Sequence, residues 1–318
     1  LPAVIGTSDS WKAKSEMAKS VLSRYLDADA LGRIANRRIE PRGLVLGNLA
    51  GAHKSPLSGF AVEFAGHRQY YWGDDPKHID WRVYFNRQRM VIKQYEMETN
   101  FVCHLVLDTS ASMRYGEGPQ QKLHYAARMA ATLAYAILRQ SDKVSLATFD
   151  EEVRGFVPPS NSMAQIVRLT EHLDQADPVH KTKMADCLAE LAGRMKRRQI
   201  VMILSDFFTE LGPLEAALQR IRYNRHEVVL FQVMHHDELA FEFDGMVKFV
   251  GLELPEELLT QPDELRREYL RALGRFNDEL ESLCHRNRVE RVLVDTSRDL
   301  AQVLADYLNQ RSRQNRGR

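Results

Sequence analysis

Strands and helices that alternate along the chain with no internal repeat predict an α/β fold, a doubly wound and mostly parallel sheet flanked by helices. Three stretches carry this prediction. Phe101 to Leu107 is a run of seven largely apolar residues, the form of a strand buried on both faces. Ile200 to Leu204 is a second such run. Between them, Lys122 to Leu138 sets Leu123, Ala126, Ala127, Ala130, Leu133, Ala134 and Ile137 at helical spacing, with alanines small enough for close packing on a sheet.

Taken in order, Lys12 to Ile39 favours an amphipathic helix through Met17, Val21, Leu22, Tyr25, Leu26, Leu31 and Ile34, and Pro41 ends it. From Glu40 to Asn100 the texture changes to Gly, Pro, aromatics and dense charge. Alternating pieces at Phe60 to Phe64 and Met90 to Tyr95 predict short strands there. Glu63, Arg68, Asp74, Asp75, Asp80, Arg82 and Arg87 mix both charge signs beside Tyr70, Trp72 and Trp81. This suits a structural network of ion pairs and stacked guanidinium groups, with a partner-docking surface as the other reading. A catalytic pair from Asp74 and Asp75 is disfavoured, because neighbours on an extended chain point apart.

After the long helix, Val144 to Phe149 reads as a strand, and Val153 to Val157 as an edge strand before Pro158 and Pro159. Asn161 to Leu173 reads as a helix, Asp177-Pro178 as a loop leading to Thr182, and Met184 to Lys196 as a helix. A helix from Pro213 to Tyr223 and a strand from Glu227 to Val233 follow Asp206. His235-His-Asp-Glu238 invites a metal reading, but adjacent histidines seldom converge on one ion. Phe241 to Leu254 resembles a hairpin added at the sheet edge, Glu264 to Arg286 a long charged helix, Arg291 to Asp295 the last strand and Asp299 to Leu308 a closing helix. The expected division is 1–98, a helix and small β-rich subdomain; 99–312, the α/β domain; and 313–318, a basic flexible tail.

With 318 residues, 44% of them hydrophobic, the chain can bury a large core. A net charge of +1 provides no global field for nucleic acid or an anionic membrane, and the basic residues from Arg311 to Arg318 read as a frayed terminus. Cys103, Cys187 and Cys284 lack both zinc spacing and a disulfide framework and look like core residues of a reducing compartment. No apolar run approaches a membrane span, and the start has no basic region followed by a long apolar core, so a cytoplasmic protein is expected.

The candidate site lies where the first strand ends. Asp108, Ser110 and Ser112 follow Leu107 at once, so they sit at the carboxyl end of a central strand, where open α/β sheets place ligands. One carboxylate and two hydroxyls are hard oxygen donors suited to a magnesium-like cation. The plainer reading is helix capping by Asp or Ser. The stretch resembles the metal-ion-dependent adhesion site of von Willebrand factor type A domains, Asp-x-Ser-x-Ser with a distant Thr and a distant Asp. Thr182 and Asp206 match the distant pair in the expected order. The resemblance implies a von Willebrand factor type A (vWA-like) domain holding Mg2+, Mn2+ or Ca2+. Ser110 and Ser112 would touch the ion, Thr182 would bind in one of its states, and Asp108 and Asp206 would act through waters.

A second resemblance is broader. Glu63-Phe-Ala-Gly-His-Arg-Gln-Tyr70, Gly73-Asp-Asp-Pro-Lys-His-Ile-Asp-Trp81, His53-Lys-Ser-Pro56 and Tyr95-Glu-Met-Glu98, with the Asp-Thr-Ser-Ala-Ser-Met run, resemble bacterial domain-of-unknown-function family 58 (DUF58). That family implies a segment of this kind before a type A domain, and a partner among the MoxR-type AAA+ ATPases. The function expected is a non-enzymatic, metal-dependent protein-interaction module whose partner offers an Asp or Glu to complete the ion's coordination.

Two other classes stand beside it, a Mg2+- or Mn2+-dependent hydrolase and a structural subunit with a folding-only metal site. Against the hydrolase, the chain has no Gly-x-Ser-x-Gly elbow and no Gly-x-x-x-x-Gly-Lys loop, and Ser110 stands where such enzymes carry a second acid. Gly116-Glu-Gly118 is a turn near the motif and a poor phosphate cradle.

Overall fold

A computed structural model describes residues 21–35, 37–39, 41, 62–97, 101–178, 181–196, 198–243, 245–252 and 257–316. The expectations placed on Lys12 to Ser20, His53 to Pro56, Glu98 and His180 lie outside the described residues. The chain divides into two units, Leu1–Glu40 with Phe101–Arg318, and Pro41–Asn100.

The single helix expected up to Ile39 is broken. A first helical segment ends at Tyr25, and α1 (Ala28–Ile34) restarts because Asp27 caps it, accepting from the N–H groups of Asp29 and Ala30. Val21, Tyr25 and Ile34 belong to the hydrophobic core that also holds Phe101 and Leu105. This corrects the boundary drawn at residue 98, since the amphipathic stretch needs a large apolar partner and finds it in the α/β body.

The smaller unit contains β1 (Val62–Gln69), α2 (Trp81–Arg87) and β2 (Val91–Met97), the two strands antiparallel. Its charges interlock as expected of a structural network. Arg68 forks onto Asp74 through two 2.7 Å bonds, while Asp80 caps α2 and meets His67 at 2.8 Å. Hydrogen bonds from Arg68 and the Tyr71 N–H hold the Asp74 carboxyl down at about 2.

The main unit continues with β3 (Val102–Asp108), α3 (Lys122–Arg139), β4 (Lys143–Phe149), β5 (Val153–Ser160), α4 (Gln165–Asp174) and α5 (Met184–Arg194). After these come β6 (Ile200–Ser205), α6 (Leu211–Tyr223), β7 (Glu227–Met234) and the short α7 (His236–Ala240). The chain closes with β8 (Val247–Val250), β9 (Glu257–Thr260), α8 (Pro262–Arg286), β10 (Glu290–Asp295) and α9 (Leu300–Arg316).

Six strands form one sheet in the order β10-β7-β6-β3-β4-β5, parallel except for β5. The doubly wound, mostly parallel sheet read from the sequence is therefore the observed one. As an edge strand, β5 can carry Pro158 and Pro159, which have no N–H to give a further neighbour.

Strand periodicity distributes the core between two helical layers. Cys103, Leu105 and Leu107 of β3, with Ile200, Met202 and Leu204 of β6, join a core shared with α1, α3, α4 and α9. Val106, Val201 and Ile203 face the opposite way, into a core shared with α5, α6 and α8.

Two further expectations need correction. The segment from Phe241 does not extend the main sheet, because β8 and β9 pair only with each other, as a separate two-stranded sheet. Nor is the basic tail free from Arg311 onward. Helix α9 runs to Arg316, and Arg311 is 1% exposed, bonded to Glu227, Glu290 and Tyr307. Two carboxylates at the ends of neighbouring strands give the guanidinium a reason to be inside.

Candidate metal centre

The chain leaves β3 toward β4 and β5 on one side and reaches β6, β7 and β10 on the other. The order thus reverses between β3 and β6, and open α/β sheets bind ligands at such a reversal, outside the carboxyl ends of the strands. Asp108 ends β3 and Ser205 ends β6, and the register pairs Leu107 with Leu204, so the two meet side by side. They also share a face, the one to which Val106 and Ile203 point. The Ser205 hydroxyl accordingly donates to Asp108 Oδ2 at 2.7 Å.

Asp108 is fully buried, and its Oδ1 accepts the Ser110 N–H at 2.8 Å. The Ser110 and Ser112 hydroxyls lie 3.1 Å apart. Burial, and then the Asp206 carboxylate, push the Asp108 pKa well above the ordinary carboxylate range, against the hydrogen bonds from Ser205 and Ser110. The Asp206 carboxylate thus adds to the cost of charging Asp108.

One residue beyond Ser205, Asp206 engages the first residue of α3. Lys122 Nζ donates to Asp206 Oδ2 at 2.8 Å and to Glu238 Oε1 at 2.8 Å, and Lys122 is 1% exposed. Burial pulls the ammonium pKa down, and the two carboxylates outweigh this and raise it. Asp206 Oδ1 accepts the Phe208 N–H. Glu238 is fixed by a capping box on α7, its Oε2 accepting from the His235 N–H at 2.9 Å. The His235 ring lies 5.1 Å from that of Tyr115, and a Cβ on Gly116, at φ +93°, would stand 2.7 Å from the imidazole. Both the backbone conformation and the close approach require glycine there.

Thr182 enters from the loop before α5. Lys183 N–H donates to Asp150 O, just past the end of β4, which brings the loop to the same edge of the sheet. The Cys187 thiol in the first turn of α5 donates to the same Asp150 O at 3.7 Å. The Thr182 Oγ1 is buried and has no hydrogen-bond partner among the described residues.

The structure thus links Asp108, Ser110 and Ser112 directly, sets Asp206 beside Asp108, and brings Thr182 to the same edge through its loop. Sequence reasoning missed Lys122, Glu238 and Ser205. The one available signal was Glu238, three residues after His235 at the spacing of a capping box. Among the described residues no three His, Cys, Asp or Glu side chains gather as a metal cluster, and the donors here are carboxylates with hydroxyls. His104 stands mid-strand, its ring nitrogens held by Ser145 and Gln199, far from Ser110 as a base. No described helix is long and apolar enough to cross a membrane.

The uncharacterized protein Rv1480 of Mycobacterium tuberculosis is 25% identical over 193 residues, which cover 59% of this chain and 60% of that protein. The uncharacterized protein Mb1516 of Mycobacterium bovis matches equally. The chain therefore spans about 60% of the length of the curated relatives it matches. Among solved structures, BatB from Bacteroides thetaiotaomicron is similar at 13% identity and TM-score 0.43, covering 67% of this chain and 99% of that one. An aerotolerance-related membrane protein from Bacteroides fragilis is similar at 16% and 0.44, covering 66% and 97%. The SpRpn10 VWA domain gives 13% and 0.35, covering 67% and 95%. The family model described as "Protein of unknown function DUF58" matches residues 66–278, and the chain belongs to that family.

Proposed function

We propose that the chain is a metal-dependent protein-interaction module without catalytic activity of its own, and that a carboxylate of its partner completes the coordination of a divalent ion. Mg2+ is the expected ion, with Mn2+ or Ca2+ as substitutes. Ser110, Ser112 and Thr182 would supply hydroxyl ligands, with Asp108 and Asp206 behind them. The observation that carries this reading is the buried Asp108 carboxylate placed beside Asp206, together with paired serine hydroxyls and an orphaned Thr182 oxygen at one sheet edge. Hard oxygens that lack a full set of partners fit a hard divalent cation. Neutral hydroxyls against the ion leave it electrophilic toward a carboxylate.

Family membership supports a MoxR-type AAA+ ATPase as the partner, with the chain as adaptor or co-chaperone. The buried, unpaired Cys103, Cys187 and Cys284 support a cytoplasmic location. Purified ATPase should be captured by the immobilised chain in Mg2+, and capture should be lost in EDTA and with Asp108→Ala. Capture indifferent to both would overturn the reading. Hydrolysis of a phosphate or acyl ester that disappears with Ser110→Ala would replace it with the hydrolase.

A further inference from the structure

Lys122 is the first residue of a helix, a position where lysine is normally solvated and unfavourably placed with respect to the helix dipole. Here it is 1% exposed, and its two carboxylate partners belong to different elements, Asp206 after β6 and Glu238 in α7. The rings of Tyr115 and Phe208 lie 6.0 and 5.7 Å from its Nζ and help keep water away. In so dry a setting a fixed charge acts strongly on every neighbouring charge.

We propose that Lys122 is the resident counter-charge of the site, sharing Asp206 with the divalent ion and thereby setting how strongly that ion is held. With all three acids ionised, Asp108, Asp206 and Glu238 would carry three negative charges and Lys122 returns one, leaving the two that a divalent ion neutralises. The ammonium and the ion repel each other while competing for one carboxylate. Lysine at this place therefore weakens metal binding, and it lets the protein fold before the metal arrives. Glu238 works in the opposite direction, because it carries part of the lysine's charge and so relieves Asp206. A purely structural lysine that only orients Asp206 would have the opposite effect, and its loss would weaken the ion.

The inference rests on the metal reading of the site, and its test separates the two. Mn2+ binding by calorimetry, with melting in EDTA, would be compared across the wild type, Lys122→Met, Glu238→Gln and the double variant. Lys122→Met should bind Mn2+ more tightly by about tenfold or more and melt lower in EDTA, with the loss recovered by Mn2+. Glu238→Gln should bind about tenfold more weakly, and the double variant, with both charges gone, should return close to the wild type. If Lys122→Met does not fold without metal, the other two variants carry the comparison against the wild type. Affinities that do not follow charge, or a folded Lys122→Met that binds more weakly than the wild type, overturn the assignment. A wild type that does not bind while Lys122→Met does would end the metal reading of the native site and support the lysine as occupant. Absence of binding in all four removes both.

Discussion

Ser205 Oγ and Asp108 Oδ2, 2.7 Å apart, join the ends of the two strands between which the sheet reverses its order. The same hydroxyl accepts the Phe207 N–H at 2.9 Å, so one serine fixes both the buried carboxylate and the turn that carries Asp206. Ser205→Ala removes a donor from a buried carboxyl oxygen, and the cost should be about 1–3 kcal/mol. Urea unfolding in EDTA measures it. Mn2+ affinity should fall in the same variant, because Asp108 loses one of the bonds that orient it.

Thr182 should respond in opposite directions with and without metal. Its Oγ1 is buried and unpartnered, so in EDTA Thr182→Val should be neutral or stabilising by up to about 1 kcal/mol. If the hydroxyl is a ligand, the upward shift in melting temperature caused by Mn2+ should shrink in the same variant. Melts with and without the ion make the comparison.

The sheet and the Asp108-Ser110-Ser112 cluster were legible because they rest on local signals: apolar runs, a helical repeat, and polar residues immediately after a strand. Asp206 was legible for the same reason. Lys122 was not. A lysine opening an amphipathic helix reads as solvated, and only the meeting of three distant elements shows it inside. The break before α1 turns on one capping residue, Asp27, within an otherwise continuous helical pattern. The separate β8–β9 pair was hidden because alternation predicts a strand without naming its neighbour.

Acid should weaken the fold through His104. Burial lowers its pKa from 6.5 to about 4, against the hydrogen bond to Gln199, which raises it. The unfolded chain therefore takes up a proton at a pH where the native state does not. The contribution is fully present above about pH 6.5 and is lost as pH falls toward 4, by on the order of 3 kcal/mol. His172 and His226, also lowered by burial, add in the same direction. Unfolding free energy measured from pH 8 to pH 4 should fall, and should fall less steeply in His104→Gln. A slope unchanged in that variant would assign the acid sensitivity elsewhere.

Arg311 in the last helix offers a test of the opposite end of the strands. Arg311 lies between Glu227 of β7 and Glu290 of β10, the Glu227 bond being 2.7 Å long. Removing one member of a buried ion pair leaves an uncompensated charge, so Arg311→Met should cost about 3–5 kcal/mol. The triple variant Arg311→Met, Glu227→Gln and Glu290→Gln should recover most of that loss, since the two carboxylates facing the guanidinium are neutralised with it. Thermal unfolding of both variants decides the point. If Arg311→Met melts with the wild type, the guanidinium contributes nothing to the fold, and the terminus behaves as the solvated tail its composition suggests.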